Sequence, residues 1–231
     1  MEPNALIFRK PPVTEVRTEV TFRNTLEVAD CRSEFYKLVR DEFPHVWMPD
    51  KSKLSYDFGD YSLRTENGSY RLEIGMNYFR LVTPSYSGFD EFKKRFTESA
   101  AKFAQCYGIK SFLQFSMQYN NRLPFESESS FEDCFSIKLT VANTNQPLFA
   151  GKGVMIFEHP EGYAAIEIDP QFADEKITSY ILTLGFSSQR ELVYDEPGRD
   201  FVTLLQGAHD YIEKYFVSLL EPKYLQYLKS L

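Results

Sequence analysis

YFRLVTPSYSGFDEFKKRFTESAAKFAQCYG, residues 78–108, passes within a few positions from the period of a strand to that of a helix. Tyr78–Thr83 is a short run of aromatic and β-branched residues, which suits a pleated strand. After Ser87, placed to cap, Phe89, Phe92, Phe96, Ala100, Phe103 and Tyr107 recur every three or four residues until Gly108 terminates the pattern. Four Phe on one stripe make a core helix rather than a cofactor box.

Upstream, Pro11 and Pro12 open an extended segment, and Val13–Phe22 alternates strictly. Val16, Thr18, Val20 and Phe22 share one face, and Glu15, Arg17, Glu19 and Thr21 the other, as in a half-buried strand. A first helix is expected from Asp30 to Asp41, ending before Pro44, with residues 43–53 a loop. Strands follow near 54–58, 61–65 and 69–74, with Asn67-Gly68 a hairpin signal and Gly75-Met76-Asn77 a second turn. Beyond the helix, residues 109–120 return to period two, with Leu113, Phe115, Met117 and Tyr119 on one side. Asn120, Asn121 and Arg122 are expected to end that strand where the chain leaves the sheet.

An acidic, serine-rich connection at 126–133 then precedes a second run of the same order. Strands are expected at 135–141, 154–158, 163–169 and 177–186, with His159-Pro160-Glu161-Gly162 as a hairpin turn. A final helix buries Phe201, Leu204, Leu205, Ala208, Ile212, Phe216 and Leu219, and Pro222 breaks it. The predicted fold class is therefore α+β: two topologically similar halves of antiparallel strands, each closed by a long amphipathic helix. The halves span 1–125 and 126–231, as two domains or as one intimately packed domain.

The charge of −7 argues against sequence-independent binding to nucleic acid, whose affinity rests on neutralising phosphates. Three widely spaced cysteines, with no CxxC pair, fit a reducing compartment better than a disulfide framework. The first ten residues lack an apolar signal core, and no stretch reaches the roughly 18 apolar residues of a membrane span. A cytoplasmic setting without membrane contact is the expectation.

Three segments, residues 12–16 (PVTEV), 86–92 (YSGFDEF) and 119–122 (YNNR), with 208–216 (AHDYIEKYF) as a fourth, carry a resemblance. Their order and spacing resemble a sporadically distributed family of uncharacterised bacterial and archaeal proteins, known mainly through a numbered family model. Where that family reads Arg-Tyr-x-Asn-Arg, this chain has Gln118 in the first position. The resemblance implies no agreed activity. The family's patchy distribution points to phage-defence or toxin–antitoxin loci.

P-loop, HExxH, GxSxG and dinucleotide signatures are all missing from the sequence, and Gly151-Lys152-Gly153 lacks the third glycine and following helix of a phosphate loop. Glu158, His159, Glu167 and Asp169 invite a metal reading. Glu167, however, lies five residues past the hairpin turn that holds His159, roughly 15 Å away at about 3.3 Å per residue. No metal and no cofactor is expected. His209, beside Asp210 and one turn before Glu213, and Arg122 are the weak catalytic candidates, with Glu167 as a third member of such a site. Asn120, Asn121, Arg122 and the proline-bracketed Trp47 are the candidates for partner binding.

The favoured expectation is a non-catalytic binding or scaffold protein, whose partner is a protein encoded in the same operon, with a homodimer as a further possibility. The alternatives are a chaperone-like binder of unfolded polypeptide and an enzyme with a site around Arg122 and His209.

Overall fold

The computed structural model describes residues 8, 10–48, 60–125, 129–137, 152–174, 176–193 and 199–231. The alternating segment folds as β1, Val13–Thr21, with Val16, Thr18 and Val20 buried. Two short helices follow, α1 (Leu26–Asp30) and α2 (Arg32–Val39). α2 is the expected helix, capped by Cys31 rather than Asp30, and α1 is an additional turn of helix before it, separated because the backbone leaves helical geometry at Cys31. Within the predicted loop, β2 (His45–Trp47) pairs with β3 (Tyr61–Arg64). The predicted strand at 54–58 lies outside the described residues. The strands β4 (Arg71–Ile74) and β5 (Tyr78–Thr83) complete a meander joined by the two expected turns, with Gly68 at φ 68°.

The long amphipathic stretch is α3, Phe89–Tyr107, terminated by Gly108 in the left-handed region at φ 62°. Gly88, not Ser87, occupies the cap position, and the Ser87 hydroxyl instead donates to the Glu91 carboxylate at 2.6 Å. Next come β6 (Ser111–Phe112) and β7 (Gln114–Pro124). β7 runs through Asn120–Arg122 instead of ending there, because it is paired on both sides: Asn121 lies opposite both Val13 and Leu182, and Arg122 opposite Ile181.

The end of the acidic connection forms α4, Phe131–Cys134. Ser130 and Asp133 form a capping box there, and Phe131 is buried. Of the strand predicted at 135–141, Phe135 makes an isolated bridge to Leu220, and residues from 138 on lie outside the described ones.

The remaining strands are β8 (Gly153–His159), β9 (Gly162–Ala173), β10 (Lys176–Ser188) and β11 (Leu192–Val193), the last paired with β6. The helices α5 (Arg199–Leu219) and α6 (Pro222–Ser230) close the chain.

Among the described residues, nine strands form one sheet in the order β2-β3-β4-β5-β1-β7-β10-β9-β8, every neighbouring pair antiparallel. The sheet is thus continuous through the middle of the chain. Its inner face meets the helices through rings. Phe103 of α3 packs on Phe79, Phe35 and Phe22, and Phe201 of α5 packs on Phe96, Phe112 and Phe115. Phe131 of α4 meets Tyr180, and the Tyr224 hydroxyl of α6 donates to the Pro124 carbonyl at 2.5 Å. All the described helix packing lies on this one side.

Candidate functional site

Because side chains alternate along a strand, β7 distributes its residues to two different places. Tyr119 and Asn121 are buried on the helix side, whereas Gln118, Asn120 and Arg122 lie on the face that no described helix covers.

On the helix side, Tyr119 is the centre of a polar chain. Its hydroxyl shares a hydrogen bond of 3.2 Å with the Tyr86 hydroxyl and one of 2.9 Å with Nδ1 of His209. The His209 ring is stacked on Phe89, with centroids 3.8 Å apart and planes 10° apart. These groups line a cavity of about 410 Å³ between the start of α3, α5 and the sheet. Pro12, Val13, Tyr86–Phe89, Tyr119, Asn121, His209, Glu213 and Phe216 all reach it. The four segments that carry the family resemblance therefore meet at one point, although they are separated by up to two hundred positions in sequence.

Burial pushes the Tyr86 phenol up to about 12 and Tyr119 well above its ordinary value, so both keep their protons. Burial holds His209 down at about 4, against the pull of Asp210 and with some help from Lys93. A histidine so weakly basic is a poor acceptor of protons near neutral pH. Among the described residues its hydrogen-bond partner is a phenol, and the one nearby serine, Ser87, gives its hydroxyl to Glu91.

A pH dependence follows. The unfolded chain takes up a proton near the ordinary histidine value of 6.5, the folded one near 4. Stability from this group is therefore full above the higher value and is lost as the pH falls toward the lower. Allowing for partial exposure, the loss is roughly 2 kcal/mol. Urea unfolding at about pH 7 and about pH 4.5 is expected to show this drop in the wild type and a smaller one in His209→Gln. An equal drop in both would contradict it.

The uncovered face is polar at its centre. Arg80 bridges Glu19 and Glu73, and Arg71 pairs with Glu73 at 2.7 Å. Arg17 donates to Gln118 at 2.9 Å, Gln118 to Asn120 at 2.9 Å, and Thr183 to the same Asn120 oxygen at 3.0 Å. Gln118 thus belongs to a hydrogen-bonded row across β1, β7 and β10. Gly185 and Ala165 leave a depression of about 630 Å³ over the sheet, with Arg17 and Arg80 on one side and Ile156 and Tyr163 on the other. The rim is apolar: Trp47 on β2 is 52% exposed, and Val154 and Ile156 on β8 are 56% and 69% exposed.

The expected enzymatic grouping is not assembled. Arg122 binds the Ser179 hydroxyl at 3.3 Å on the uncovered face, and Glu167 pairs there with Lys152 at 2.7 Å, whereas His209, on α5, meets Tyr119 on the other side. The metal set is divided in the same way. His159 turns to the Tyr211 and Phe186 rings on the helix side, away from Glu167. Gly151 lies outside the described residues. Of the partner-binding candidates, Asn120, Arg122 and Trp47 share the uncovered face, and Asn121 does not. Sequence reading missed Tyr86 and Tyr119 as a pair. The signal for them was present in the resemblance segments, where both open a motif.

No helix among the described residues is long and apolar enough to cross a membrane. In comparisons with known proteins, the chain matches no family model, no curated protein and no solved structure.

Proposed function

We propose that this is a non-catalytic binding protein that engages another protein through the uncovered face of its sheet. The observation that carries this reading is the one-sidedness of the molecule: among the described residues, the helices pack on one face, and the other presents a polar centre with an apolar rim. Exposed Trp47 at one edge and Val154, Ile156 and Tyr163 near the other are the kinds of side chain that anchor an interface, and the depression between them suits a partner's projecting residue. The charge of −7 favours a basic partner by steering and complementarity.

The resemblance stated above supports placing that partner in a defence or toxin–antitoxin locus, and the meeting of its four segments at one cavity supports the resemblance. The order of strands further supports reading the chain as two equivalent halves. Outward from β1 lie β5, β4, β3 and the short β2, outward from β7 lie β10, β9 and β8, and each run is followed by a long helix, α3 or α5.

The test begins with the partner recovered from native cells and proceeds to affinities of variants. Ile156→Lys and Trp47→Ala are each expected to weaken binding by roughly tenfold or more, with higher salt weakening it further. Val217→Lys, on α5, is expected to change nothing beyond its charge. Binding that ignores Ile156 and Trp47, or the absence of any partner and of self-association, would defeat the proposal.

A further inference from the structure

We propose that the cavity between α5, the start of α3 and the sheet binds a small organic cation, an ammonium group carried on an aromatic or apolar body. Its walls are rings set at steep angles to one another. Tyr86 and Tyr119 meet at 81° with centroids 5.5 Å apart, and Phe8 and Phe216 at 82° and 6.1 Å. Such rings offer π-faces in several directions, and a cation over a ring face is attracted by its quadrupole. Phe89 already works in this way, with Lys93 Nζ 5.1 Å from its centroid.

Among the lining residues, the one that carries a formal charge is Glu213, a partly buried carboxylate on α5. Among the described residues it has no ion-pair or hydrogen-bond partner, and its negative charge is felt by both Tyr86 and Tyr119. His209, kept neutral by burial, brings no competing positive charge. An anion would meet Glu213 in a partly desolvated site, and a neutral ligand would cover the carboxylate without pairing it. A cation satisfies both the carboxylate and the rings. The volume of about 410 Å³ falls in the usual range of small-molecule pockets, roughly 300–1,000 Å³. The cavity lies on the helix side of the sheet, so this proposal stands or falls separately from the one for the uncovered face.

The experiment compares three soluble probes of similar shape on the full chain: 2-phenylethylammonium, 2-phenylethanol and phenylacetate. Binding is followed by calorimetry, and by shifts of the tyrosine and histidine ring resonances. The ammonium is expected to bind roughly tenfold or more tightly than the alcohol or the acid. Glu213→Gln is expected to lower the ammonium to the level of the alcohol while leaving the circular dichroism unchanged, and Glu98→Gln, exposed on α3, to leave binding as in the wild type. Equal binding of the three probes, a preference that survives Glu213→Gln, or no ammonium binding at about 10 mM would overturn the proposal.

Discussion

Replacing Phe103 by alanine is expected to destabilise the protein by about 4 kcal/mol, among the largest losses from any single truncation. Phe103 is fully buried on α3, and its ring touches four others: Phe79 at 4.8 Å, Tyr107 at 5.0 Å, and Phe22 and Phe35 at 5.3 Å each. Phe79 is held by the sheet ladder and Phe35 by α2, so these walls cannot move together to fill the space left behind. The lost transfer energy and the residual cavity then add. Urea unfolding measures the change. A loss below about 1 kcal/mol would mean that α3 does not seat on the sheet as described.

Gly162→Ala is expected to cost about 3 kcal/mol, for a reason of a different kind. Gly162 starts β9 at φ 154°, and a Cβ built there would lie 2.0 Å from the Ser187 carbonyl oxygen and 2.8 Å from the Ser188 Cα. These are backbone atoms of β10, the strand beside it, so no side chain can rotate out of the way. The hairpin must shift, loosening β8. Gly68→Ala, also in the left-handed region but with open space around the added carbon, is expected to cost about 1 kcal/mol. Comparable losses at the two positions would contradict the close approach of β9 to β10.

Local signals in the sequence were sufficient for several elements and their inner faces. The Phe stripe of α3, the alternation of β1 and the Asn67-Gly68 turn each state a periodicity or a backbone need that neighbouring residues alone decide. Where the strand of Asn120–Arg122 stops was not legible, because Asn and Arg in sequence resemble a turn. What keeps them in the sheet is pairing with Val13 and with β10, from distant parts of the chain. The short helices α1 and α4 were not expected, α4 resting on a Ser130–Asp133 capping box within a stretch whose acidic, serine-rich composition reads as a loop.

The candidate site divides along the same line. His209 was visible on the apolar stripe of α5, but its partner Tyr119 comes from a strand ninety positions earlier. Arg122, three residues from Tyr119 in a fully paired strand, would share its face only if a bulge lay between them, and none does. A bulge of one residue would have brought it to the helix side, beside Tyr119.

Photo-crosslinking in cells that make the protein natively tests the one-sided design most directly. A benzophenone amino acid is placed in turn at positions 47 and 156 on the uncovered face and at 38 and 217 among exposed helix positions. One protein captured from 47 and 156, and not from 38 or 217, is the result this account requires. Capture from the helix positions alone, or from none of the four, would contradict it.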